Sequence, residues 1–215
     1  MTGHRDRPGR WAPFAALEAT LGEVAGGDPV LDLGCGVGYW LARSSAAGLR
    51  PIGLEPDHRR VREAALHAPV LVGAGDRLPL ADASVGAVWC LHVLHHLERP
   101  AAVLAEVRRV LRPGGHLLMA ESVEDNPALR LARTAWPNWE GVPVRSRFRV
   151  AELEAMVSGA GLEVVRVRHH SPLSFAAVAL PAGGHHLWVA LQAVERHLPD
   201  AVRRRGAHVD VVART

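Results

Sequence analysis

Asp32, the glycines at 34, 36 and 38, and Glu55 are the residues whose types and spacing most directly imply chemistry. Glycine on alternate positions permits a backbone turn with φ > 0 and lets a flat ligand lie on the chain with no side chain in the way. The spacing is G-x-G-x-G, one residue shorter at its end than the dinucleotide pattern G-x-G-x-x-G. An acid directly ahead of the turn is a poor neighbour for a phosphate but suits an ammonium or sulfonium group. Glu55 stands roughly 20 residues further on, where an acid can take the two hydroxyls of a ribose. Adjacent imidazoles at His95 and His96 add a side chain that titrates near neutrality, so a general base is available to an oxygen or nitrogen nucleophile.

A glycine turn flanked by these two acids fits S-adenosylmethionine. The segment Leu31-Asp32-Leu33-Gly34-Cys35-Gly36-Val37-Gly38 resembles the first motif of the class I S-adenosylmethionine-dependent methyltransferases. Further on, Gly75-Asp76-Arg77-Leu78-Pro79-Leu80 resembles their G-D-A-x-x-L-P-F segment, with Arg77 where a small residue is usual. Leu94-His95-His96-Leu97 resembles L-H-H-L, Leu111-Arg112-Pro113-Gly114-Gly115 matches L-R-P-G-G, and residues 152–165 match the family's late helix-to-strand pattern. The resemblance implies cofactor contacts from Asp32, Gly34, Cys35, Gly36, Gly38, Glu55 and Pro56. It also implies Asp76 and Arg77 at the adenine and Leu91 and His92 at the methionine portion. Of the two imidazoles, His96 is placed structurally beneath the cofactor, and His95 is the candidate general base because histidine titrates in the useful range. One departure concerns S-F-D-x-V: this chain has Val85 and Gly86 for the Phe and Asp, which removes a polar anchor at the start of a strand.

The elements that must position these residues follow from hydrophobic periodicity. Apolar residues at helical spacing run from Trp11 to Val24, and Gly26-Gly27-Asp28-Pro29 ends that helix. Strands are expected at 30–33, 51–55, 69–72, 84–91, 116–121, 162–167 and 207–214. Helices are expected at 39–47, at 58–67 behind Asp57 as N-cap, at 101–111, from Asp125 or Asn126 to 133, and at 150–160. Alternating strands and helices imply right-handed crossovers and a parallel sheet. The fold class is therefore α/β: a Rossmann-like, seven-stranded, mostly parallel sheet with helices on both faces and, by resemblance, an antiparallel last strand. We expect one domain over 1–215, with a substrate-capping insertion at about 124–147 and one or two long apolar helices within about 173–205.

Trp11, Trp136 and Trp139 are candidates for a substrate wall, with Arg147 and His169 as polar contacts to a substrate. No metal is expected, because H-E-x-x-H spacing is absent. The 25 basic residues are all arginine, interleaved with 22 acids for a net charge of +3, which forms no basic stripe for nucleic acid. No apolar run approaches a membrane span and the first ten residues lack a leader's apolar core, so a cytoplasmic monomer or homodimer is expected. The asparagine-proline-proline-aromatic tetrapeptide of nucleic-acid amino methylases is absent. The expected activity is thus methyl transfer to a small molecule, and the small size and short Trp-bearing cap point to a specialised biosynthetic pathway. Two alternatives stay open: a cyclisation or rearrangement on the same cofactor-binding fold, and a non-enzymatic binding module.

Overall fold

A computed structural model describes residues 14–135, 145–179 and 184–215. Trp11, Trp136 and Trp139, the expected substrate wall, lie outside the described residues. Seven strands form one sheet: β1 (Pro29–Leu33), β2 (Arg50–Glu55), β3 (Val70–Val72), β4 (Val85–Leu91), β5 (Leu111–Ser122), β6 (Glu163–His170) and β7 (His208–Arg214). Their order is β3-β2-β1-β4-β5-β7-β6. Pairs from β3 to β5 are parallel, and β7 runs antiparallel to both of its neighbours. The order reverses between β1 and β4, and in open α/β sheets the ligand crevice opens at the strand carboxyl ends beside such a point.

Alternation along the strands divides the core between the two faces of the sheet. Leu31, Val88, Cys90, Leu117 and Met119 pack against α4 (Pro100–Val110) and α6 (Val150–Gly159) through Val103, Leu104, Val107, Leu153 and Val157. Val30, Ala87, Trp89, Leu118 and Ala120 face the other way, onto Leu17 and Leu21 of α1 (Ala15–Ala25) and Trp40 of α2 (Tyr39–Ala46). Asp57 caps α3 (His58–Ala64), its Oδ1 accepting from the Arg59 N–H at 2.8 Å. Of the two candidate caps for α5 (Pro127–Ala135), Asn126 is the one used: its Oδ1 accepts from the Leu129 N–H at 2.9 Å. Asp125 serves α6 instead, accepting from the Val150 N–H at 2.9 Å.

Three expectations are corrected. The sixth strand runs on to His170, because it pairs with β7 as far as His170 opposite His208. The fifth begins at Leu111, since the L-R-P-G-G turn stays beside β4, with a register shift between Val85 and Ala87. The segment after β6 holds a 3₁₀ turn (Ser174–Ala179), α7 (Gly184–Glu195) and a four-residue α8 (Asp200–Arg203) rather than long helices. Buried Glu195 ties α7 back, accepting from the Leu173 and Ser174 N–H groups at 2.7 and 2.6 Å.

The polar anchor expected to be missing at Gly86 is present, supplied from elsewhere. A Cβ at Gly86 would lie 2.6 Å from the Asp28 Cβ and 3.0 Å from its Oδ2. The Asp28 carboxylate occupies the space a residue-86 side chain would take, and there it accepts from Arg112 Nε. Gly86→Ala is therefore expected to cost about 1–3 kcal/mol through overpacking. Moving the acid, with Gly86→Asp and Asp28→Gly together, is expected to recover stability in urea unfolding; wild-type stability in the single variant would refute the close approach.

Candidate active site

The turn after β1 places its glycines unequally. All three have positive φ, +73° at Gly34, +58° at Gly36 and +89° at Gly38. A Cβ at Gly34 would strike Val93 Cγ2 at 2.8 Å and one at Gly38 would strike Ala64 Cα at 2.8 Å, whereas one at Gly36 would meet nothing within 4 Å. Packing thus demands the outer two, and Gly36 faces open space. Glu55 is 3% exposed. Its Oε2 accepts from the Gly36 N–H at 3.0 Å and its Oε1 from the Asp57 N–H at 3.1 Å, with Arg60 3.7 Å away.

Asp32 is buried and its Oδ2 has no hydrogen-bond partner. Burial, reinforced by the Glu55 charge, pushes its carboxyl up to about 7. Cys35 is pushed up to about 12 by burial and then by the same two acids. It is a thiol that packs: its Sγ lies 2.6 Å from where a Gly53 Cβ would be. Pro56 and Arg77 are exposed. Asp76 is exposed as well, with Arg99 3.8 Å from its carboxylate, and the Arg77 N–H donates to the Ala74 carbonyl at 3.3 Å. An orphaned buried carboxylate, an open glycine and a fixed second acid together fit a cationic nucleoside ligand such as S-adenosylmethionine.

The second half of the site begins where β4 ends. Leu91 is half-buried against the α1-side core. His92 takes φ +55°, a conformation rare outside glycine, while its N–H donates to the Ala120 carbonyl at 2.8 Å. Glu121, fully buried at the end of β5, accepts from the Val93 and Leu94 N–H groups at 3.0 and 2.7 Å through Oε1. Its Oε2 lies 2.5 Å from His95 Nδ1. A carboxylate already fixed as an acceptor by two amides makes Nδ1 the donor and leaves Nε2 with the basic lone pair. The His96 ring tilts against that of His95, centroids 4.0 Å apart.

A further set of rings adjoins His92. Its centroid is 5.4 Å from that of His208, which stacks on His170 at 5.5 Å, and Phe14 makes T-shaped contacts with both His92 and His170. His170 Nε2 lies 3.0 Å from Asp210 Oδ1, and Arg168 holds the other oxygen at 2.6 Å. Burial alone would raise the Asp210 carboxyl, but the His170 hydrogen bond and the Arg168 charge outweigh it and hold the group low. Burial pushes His208 down to about 3, so it is neutral.

His170 is thus the histidine of β6 that joins this cluster. The expected contact, His169, points to the opposite face of the strand, near Asp125 and Glu154. Arg147 is exposed and lies 4.0 Å from Glu124. The sequence reading missed Glu121, His170, His208, Asp210 and Phe14. An acid in a strand otherwise apolar from 117 to 120 was the one available signal for Glu121.

Residues 31–119 match the family described as methyltransferase domain. An uncharacterised 37.1 kDa protein in a transposon of Streptomyces fradiae is 36% identical over 166 residues, covering 71% of this chain and 47% of that protein. The methyltransferase GfsG of Streptomyces halstedii is 32% identical over 156 residues, covering 67% and 56%. The chain spans about half the length of these curated relatives. A solved S-adenosylmethionine-dependent methyltransferase from Mesorhizobium loti shares the fold, with a TM-score of 0.70 at 22% identity over 98% of this chain and 99% of that one. So does the [4+2]-cyclase SpnF, with a TM-score of 0.69 at 20% identity over 99% and 86%. Residues 31–119 belong to the methyltransferase-domain family, and the fold is the one shared with the solved S-adenosylmethionine-dependent methyltransferase. Among the described residues no helix is long and apolar enough to cross a membrane.

Proposed function

We propose that this chain transfers a methyl group from S-adenosylmethionine to an oxygen atom of a small molecule, in a biosynthetic pathway and in the cytoplasm. The observation that carries the reading is the His95–Glu121 pair, set at the end of β4 beside the strand that carries the glycine turn and Asp32. The bound cofactor supplies an activated methyl group on a sulfonium, so the protein has mainly to align a nucleophile and remove its proton. Asp32 would sit with the cationic portion, Glu55 with the ribose hydroxyls, and Gly36 would let the ligand approach the backbone. Nε2 of His95 would take the proton of an acceptor hydroxyl, while Glu121 holds the ring in the competent tautomer and stabilises the imidazolium formed. The partly buried rings of His92 and His170 would suit a flat, unsaturated acceptor.

The test is calorimetric titration with S-adenosylmethionine, using Gly36→Trp as the blocked form, then transfer of labelled methyl into a panel of phenols and enols. Saturable binding lost in Gly36→Trp, with label incorporated at oxygen, supports the reading. Cofactor binding with substrate turnover but no methyl transfer would move the cyclisation reading forward. No binding by folded protein would favour a non-enzymatic role.

The affinity should also depend on pH. Asp32 holds a proton below about 7, and a cation favours its ionised form. Affinity is therefore expected to rise with pH up to that value, by at most about tenfold per unit, and to level off above it. Asp32→Asn should give a flat profile; an unchanged slope in that variant would assign the effect elsewhere.

A further inference from the structure

We propose that His92, His95 and Glu121 also form a site for a divalent transition-metal ion, and that the ion inhibits the chemistry assigned to His95. One donor atom from each residue lies within 4.8 Å of the other two. Metal bonds of about 2.1 Å set tetrahedral ligand atoms roughly 3.4 Å apart, so small side-chain rotations complete the site. Two imidazoles and one carboxylate are borderline donors that suit zinc, cobalt or nickel rather than magnesium or calcium.

The three residues come from different places: His92 directly after β4, His95 from the 3₁₀ turn Leu94–His96, and Glu121 from β5. Glu121 is oriented in advance, because its Oε1 is held by the Val93 and Leu94 N–H groups while Oε2 faces the imidazole. Such outer hydrogen bonds are what fix a metal's carboxylate ligand. No local spacing announces the site, since Glu121 reaches the two histidines only through the pairing of β4 with β5.

Binding at Nδ1 has a definite consequence. The Nδ1–Glu121 hydrogen bond is replaced by an Nδ1–metal bond, and in the neutral ring the proton moves to Nε2. The loaded form then has no basic nitrogen on His95. Metal occupancy and proton removal by this residue exclude one another. The inhibitory consequence rests on the methyltransferase reading; metal binding itself does not.

The experiment titrates chelator-treated, tag-free protein with Co²⁺ and follows visible d–d absorption, with S-adenosylmethionine calorimetry on the same preparation. The expected result is absorption saturating at one ion per chain, at least tenfold weaker in His92→Gln and in Glu121→Gln, each checked as folded by circular dichroism. Added Zn²⁺ should abolish methyl transfer, and chelator should restore it. Absence of the absorption in folded wild type, or its persistence in both variants, overturns the proposal. Cofactor binding without Co²⁺ binding would sink the metal site alone, whereas Co²⁺ binding without cofactor binding would sink the methyltransferase reading alone.

Discussion

Replacing His95 by alanine is expected to lower kcat for methyl transfer about 10²–10⁴-fold, the usual contribution of a positioned general base, and to leave S-adenosylmethionine affinity nearly unchanged. Glu121→Gln should do comparable damage for a different reason. The amide can keep its oxygen on the Val93 and Leu94 N–H groups only by turning its NH₂ towards His95 Nδ1. That nitrogen must then accept, Nε2 carries the hydrogen, and the ring is in the wrong tautomer to take a proton. Because both changes disable one unit, the double variant should be no slower than either single one. Multiplicative losses would show that the two residues act separately, and unchanged kcat in His95→Ala would remove the base from the mechanism.

Glu55→Ala is expected to weaken cofactor binding about 10²-fold. One charge-assisted hydrogen bond contributes about 1.5–3 kcal/mol, and the carboxylate has two oxygens to offer the ribose. Glu55 also braces Gly36 and Asp57, so the discriminating measurement compares two ligands rather than two stabilities. S-adenosylhomocysteine keeps the ribose but has a neutral sulfur. Glu55→Ala should weaken both ligands alike. Asp32→Asn should narrow the difference between them where that acid faces the sulfonium, and weaken both alike where it faces the ammonium that both ligands carry. A Glu55 variant that separates the two ligands would place that acid near the sulfur and contradict the assignment.

The parts of this site legible in the sequence are those held within one connected stretch. The run from Val30 through the glycines to Glu55 is one strand–turn–helix–strand unit. Its hydrophobic period, its glycines and its terminal acid all lie on neighbouring residues. His95 was legible as chemistry, but its partner was not. Glu121 meets it only because β5 pairs with β4 in a register that carries Leu91 opposite Ala120, and register between strands joined by a helix leaves no local trace.

His169, the expected substrate contact, and His170 differ in phase along the strand, and it is His170 that stacks on His208. Adjacent residues of a strand face opposite ways, and the strand's continuation past Val167 is imposed by β7 rather than by its own apolar pattern. The roles of Asp125 and Asn126 were interchangeable on paper, and geometry divided them between α6 and α5. Asp28 is the clearest case. Read position by position, Gly86 is a loss; read in space, a carboxylate fills the same place from residue 28 and accepts from Arg112.

That exchange constrains recombination between this chain and relatives that carry the acid on the fourth strand. A chimera taking its first segment from here and its fourth strand from such a relative would force two carboxylates against Arg112 in space sized for one. The reverse chimera would leave the guanidinium facing none. Productive crossovers therefore fall before residue 28 or after residue 86, and a library with breakpoints scattered through the cofactor half should show a gap in folded survivors between them.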